Sequence, residues 1–131
     1  MATEQILTSS GAIDLSDVLP PIEPGYDWTW TFWVKDNNLA ALDTTGYTCF
    51  CTFQDVWGGT AIISLEIGSG ITMTAATGKF VIALTDAETL LFRTQQAVFD
   101  VMLVSDSGIK GRPFKGSLLV EQVATEGGVV S

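Results

Sequence analysis

The sequence predicts an all-β fold: an antiparallel β-sandwich, Ig-like or jelly-roll-like, with one short helix and an extended N-terminal arm. Three observations lead there. First, residues 26–34 read Y-D-W-T-W-T-F-W-V. An extended chain puts Tyr26, Trp28, Trp30, Phe32 and Val34 on one face and Asp27, Thr29 and Thr31 on the other, with Trp33 breaking the alternation. A helix would scatter these aromatics around its axis, so this is a strand that needs a second layer over it. Second, turn residues recur at intervals of roughly 8–12 residues and separate about seven apolar runs, the spacing of a sandwich or small barrel. Third, no helical stretch long enough for a parallel βαβ crossover lies between the runs.

A chain of 131 residues is expected to form one domain with a sizeable core. We divide it into an N-terminal arm at 1–25, a sandwich domain at 26–124 and a flexible C-terminal tail at 125–131. The arm opens with a short strand at 5–8 and a turn at 9–11. It then carries Ile13, Leu15 and Ile22 among three prolines, Pro20, Pro21 and Pro24, which forbid helix and central strand. Such an arm either packs along its own domain or reaches a neighbouring subunit.

After the aromatic strand, residues 36–38 (D-N-N) read as a turn. The next strand, 47–54, sets Tyr47, Cys49, Cys51 and Phe53 against Thr48, Phe50, Thr52 and Gln54, and Trp57-Gly58-Gly59 turns it. Strands at 60–67 and 71–74 follow, then one at 79–84 with Phe80, Ile82 and Leu84 on one face. Thr85-Asp86-Ala87-Glu88 has the form of a capping box, and a helix of one or two turns is expected over 86–92, with Leu90 and Leu91 plugging an open end. Residues 96–105 form a long strand. Asp106-Ser107-Gly108 turns it, Arg112-Pro113 interrupts, and the last strand runs over 114–123. The predicted core is Trp28, Trp30, Phe32, Phe80, Ile82, Phe99, Val101, Leu103 and Leu118.

Composition excludes several function classes. Fifteen acidic residues against six basic ones give a net charge of -9, which repels phosphate backbones and argues against a nucleic-acid partner. Mean hydropathy is positive, at +0.34. No run approaches the roughly 20 apolar residues of a spanning helix, and the first residues lack the basic start and apolar segment of a signal peptide, so no membrane association is expected. An apolar fraction of 47% with only 16% charged residues suggests a surface partly covered by partners.

With no histidine in the chain, a Ser-His-Asp triad, a Cys-His pair and a histidine metal site are all excluded. Cys49 and Cys51, two apart on one strand face, are badly spaced for a disulfide and read as buried free thiols of a protein kept in a reducing cytosol. Gly68-Ser69-Gly70 opens no helix and is no dinucleotide motif. No catalytic residue, cofactor or metal ligand is expected, and the chain reads as a non-enzyme. The candidate site is an interface. Trp33 and Trp57 are either covered, or an apolar anchor for a protein, or a platform for a sugar. Lys110, Arg112 and Lys115 form a basic cluster on an acidic chain. Ile13, Leu15 and Ile22 are what the arm would bring to a neighbour.

In order along the chain come Tyr26-Asp27-Trp28-Thr29-Trp30-Thr31-Phe32, then Asp43-Thr44-Thr45-Gly46-Tyr47-Thr48, Gly70-Ile71-Thr72 and Gly78-Lys79-Phe80-Val81-Ile82. The capped helix follows, then Phe99-Asp100-Val101, Asp106-Ser107-Gly108 and Phe114-Lys115-Gly116. This succession resembles small β-sandwich virion proteins of tailed bacteriophages, including the N-terminal module of baseplate upper proteins. The likeness spans about 26–123. Cys49-Phe50-Cys51 lacks the arginine usual after Gly-Tyr-Thr, and no long fibre region follows the closing strand. The resemblance implies a structural protein of the virion, made in the host cytoplasm: capsid decoration, head-tail joint, or baseplate and tail-fibre attachment. Its partners would be copies of itself or adjacent virion proteins, with a homo-oligomer expected. The other reading from the residues is a carbohydrate-binding module using an exposed tryptophan.

Overall fold

The computed structural model describes residues 4–7, 13–16, 18–35, 40 and 42–121. Among the described residues nine strands form: β1 (Glu4–Leu7), β2 (Ile13–Asp14), β3 (Trp28–Val34), β4 (Thr48–Gln54), β5 (Ala61–Ile67), β6 (Gly70–Thr74), β7 (Lys79–Leu84), β8 (Gln96–Val104) and β9 (Lys110–Leu119). A 3-10 turn (Ala75–Thr77) and one helix, α1 (Asp86–Thr89), complete the described elements. The all-β class is as expected. The layering differs from two separately bounded sheets, because all nine strands join one sheet in the order β1-β3-β7-β6-β5-β4-β8-β9-β2, curled into a half-barrel.

The curl happens at the β5–β6 corner. Gly68 and Gly70 both take positive φ, 89° and 95°, which suits glycine. A Cβ on Gly70 would also come within 2.6 Å of Leu65. The chain therefore swings from β5 straight into β6, and the sheet folds back over itself.

The period-two load of β3 fills the space between the two walls. Trp30 meets Phe99 of β8 at 5.6 Å and Phe114 of β9 at 5.3 Å, ring centre to ring centre. Phe32 stacks on Phe80 at 5.0 Å and meets Phe114 at 4.9 Å. The predicted core residues are all buried except Leu103, which packs half-buried against the rest. Burial on this scale, at about 25 cal/mol per Å² of apolar surface, is the main force holding the walls together.

Several boundaries differ from expectation. Tyr26 is 40% exposed and precedes β3, because Gly25, at φ 90°, turns the chain just before it. The capping box at Thr85 forms as expected, with Glu88 N–H donating to Thr85 Oγ1 (3.2 Å) and Thr85 N–H donating to Glu88 Oε1 (2.9 Å). The helix stops after one turn, however. That rotates Leu91 into solvent, 51% exposed, and leaves Leu90 half-buried. Phe92 closes this end instead, 5.5 Å from Phe53. Pro113 does not break β9. The β8–β9 register runs from Val101↔Phe114 to Leu103↔Gly111, so Arg112 and Pro113 oppose Met102 in a bulge. A bulge is where a residue without an N–H is tolerated in a sheet.

The described part of the arm packs on its own domain. β1 lies parallel to β3 and β2 parallel to β9, at the two edges of the sheet. Ile22 N–H donates to Leu119 O, Glu121 N–H to Ile22 O, and Trp28 Nε1–H to Pro20 O at 2.9 Å. Leu15, Leu19 and Ile22 are buried. Leu15 and Ile22, expected as outward anchors, are thus core residues of their own chain, because edge pairing with β9 turns them inward. The expected turns at 9–11 and 36–38 and the tail at 125–131 lie outside the described residues.

Candidate interaction site

Strand parity decides which side chains of β9 face outward. Phe114, Gly116 and Leu118 are buried, so Lys115 and Ser117 between them lie on the outer face. Lys115 pairs in register with Asp100 of β8, which pairs with Thr52 of β4, which pairs with Ser64 of β5. This makes a polar row across the outer wall. Arg112 reaches the same row from the bulge, its Nη1 3.6 Å from Asp100 Oδ2, with both side chains well exposed at 49% and 37%. An ion pair so placed is worth about 0–1 kcal/mol, so Arg112 can exchange it for another acid at little cost.

Trp57 arrives from the β4–β5 hairpin. Gln54 Nε2–H donates to Gly59 O (3.0 Å), Gly59 N–H donates to Val56 O (2.9 Å), and Val56 N–H donates to Asp55 Oδ1 (2.7 Å). These bonds fix the hairpin tip, with Trp57 52% exposed. Trp57, Arg112, Lys115, Ser16 and Ser117 line one open hollow of about 320 Å³. Ser16 is seated there by Ser117 N–H, which donates to its Oγ at 3.1 Å. A second hollow of about 440 Å³ adjoins it, lined by Phe50, Met102, Thr52, Asp100 and Lys110 and sharing Arg112.

Four of the expected interface residues therefore meet on one wall: Trp57, Arg112 and Lys115 in the first hollow, Lys110 in the second. Trp33 does not join them. It is half-buried on β3, on the opposite wall, with Lys79 Nζ 5.8 Å from its ring centre. Ile13 lies in β2 beside Phe114. Sequence reasoning missed Ser16, Asp100, Met102 and Ser117. Their outward parity was readable, but only the strand order β4-β8-β9-β2 brings them together.

The chemistry here is that of contact. Among the described residues no three Cys, Asp or Glu side chains gather as a metal ion would require. Cys49 and Cys51 are free and buried. Burial pushes the Cys49 thiol up to about 12 and the Cys51 thiol upward as well, with a smaller push from Cys49 and the Asp100 carboxylate. Neither is a nucleophile at neutral pH. Asp43 is held below its usual value by hydrogen bonds from the Thr45 hydroxyl (2.6 Å) and backbone N–H (3.0 Å), a local turn far in sequence from the hollow. Among the described residues no helix is long and apolar enough to cross a membrane. The chain matches no family model and no curated protein.

Proposed function

We propose that this protein is a non-enzymatic structural component of a tailed-phage virion that works through contacts with copies of itself or an adjacent virion protein. Capsid decoration, the head-tail joint and baseplate or fibre attachment are the positions it suits. Neither nucleic acid nor membrane is a partner in this reading. The ordered motifs over 26–123 support it. The observation that carries the contact role is the convergence of Trp57 with Arg112 and Lys115 around one hollow. Tryptophan and arginine dominate the energetic centres of protein interfaces, and here they sit together on a chain of net charge -9.

The test is incorporation into particles. Wild-type chain is expected in purified virions at fixed stoichiometry, and Trp57→Ala with Arg112→Glu is expected to fold yet be depleted from them. Absence of the wild-type chain from virions overturns the proposal. A second reading rests on the same hollow: an exposed indole beside Ser16, Ser117 and Arg112 also suits a saccharide. Glycan-array binding that Trp57→Ala abolishes would favour it.

A further inference from the structure

The hollow has a complement elsewhere on the same chain. At the α1 end of the half-barrel, the buried hydroxyl of Thr89 accepts from Gly25 N–H (2.9 Å) and lies 3.0 Å from both Tyr26 O and Asp86 O. It therefore ties the segment before β3 to the helix. Around this knot Glu23, Asp27 and Asp86 are exposed, beside Tyr26 at 40% and Leu91 at 51% exposure. Among the described residues the one ion pair is Arg112 with Asp100, so these three acids hold no cation there. The rim thus carries three acids and apolar side chains, with one exposed cation, Arg93, two residues beyond Leu91, where the hollow is basic and carries an indole.

The two surfaces also border the same end of the molecule. Trp28 at the start of β3 pairs with Leu84 at the end of β7, just before α1. Trp28 also meets Phe53 near the end of β4 at 5.8 Å, and the Trp57 hairpin follows that strand. We infer that the hollow of one copy takes the acidic rim of a second copy while giving its own rim in return, so that the chain pairs with itself about a two-fold axis. This rests on reading the hollow as a contact surface. Neighbouring give-and-take patches suit such an axis, because a two-fold interface makes each contact twice. Complementary charge would set the register and speed encounter, and Trp57 would supply buried apolar area against Tyr26 or Leu91.

Sedimentation velocity over a concentration series, at low and high salt, tests this. Wild type is expected to dimerise, more weakly at high salt. Arg112→Glu/Lys115→Glu reverses the hollow, and Glu23→Lys/Asp27→Lys reverses the rim. Each alone is expected to raise the dimer dissociation constant about tenfold or more, with melting temperatures near wild type because the altered positions are exposed or half-exposed. Mixed in equal amounts, the two variants should pair with each other, since each then offers what the other lacks. Trp57→Ala should weaken pairing without altering its salt dependence. A wild type that stays monomeric, or a mixture that stays unpaired, overturns self-pairing. If Arg112→Glu/Lys115→Glu is nonetheless depleted from virions while wild type is a monomer, the contact reading stands and its partner is another protein.

Discussion

Trp30 shows how much of this fold rests on single residues. It is fully buried and touches Phe32, Phe99 and Phe114, the last two on the facing wall. Trp30→Ala would leave a cavity at the centre and should cost about 3–5 kcal/mol in a denaturant melt. A loss under about 1 kcal/mol would show that the walls pack without it. Trp30→Phe should cost less, because its indole N–H has no hydrogen-bond partner and removing a buried unpaired donor offsets part of the lost volume. The cysteines make a second prediction. Unfolded thiols lose their protons near 9, whereas folded Cys49 holds its proton to about 12. Below pH 9 this group contributes no pH dependence. Between 9 and 12 the folded state binds more protons than the unfolded one, so stability falls as pH rises. Cys49→Ala/Cys51→Ala should flatten that alkaline decline, read as denaturant midpoints across the window. Thiol reagents should label neither cysteine in the folded chain and both when it is unfolded. Trp30 and both thiols were legible in the sequence, because parity along a strand is a local property.

At the scale of elements, legibility followed the range of the interactions. The capping box at Thr85 involves residues three apart and forms as read, but the length of α1 does not follow from it. The helix takes the shorter of the two expected lengths, ending at Thr89, and Phe92 packs on Phe53 beyond it. Thr85→Ala removes the acceptor for Glu88 N–H and should cost about 1 kcal/mol, measured as a drop in thermal midpoint. Pro113 reads locally as a breaker. It lies inside β9 only because Met102 across the strand opposes two residues, a register shift invisible without the partner strand. The hollow follows the same logic. Lys110, Arg112 and Lys115 are near in sequence and were readable as a cluster, whereas Trp57 joins them only through the β4–β5 hairpin and the sheet order.

For the whole molecule, the arm matters because it pairs with the strands at both sides of the half-barrel. β1 and β2 stand at opposite edges of a nine-stranded sheet, yet they are consecutive in the chain. Leu7 and Ile13 are six residues apart, a span of at most about 22 Å even fully extended. The curl must therefore bring Leu7 and Ile13, on the two edges, within that distance of each other across the seam between the walls. The arm also covers backbone edges that would otherwise be open to pairing with other chains. Leu15, Leu19 and Ile22 are at most 5% exposed, so the arm is part of the core it covers. Burying each is worth about 1.5–3 kcal/mol, roughly 5–9 kcal/mol together, against a total stability of about 5–15 kcal/mol for a domain of ordinary size. Deleting residues 2–22 should accordingly yield a chain that is unfolded or aggregated in isolation, seen as loss of near-ultraviolet circular dichroism from the tryptophans and of a cooperative melt. A deleted chain that kept both would mean that the seam closes without the arm. The arm would then be available to a neighbouring subunit, and assembly would run through exchanged arms in place of the hollow on the outer wall.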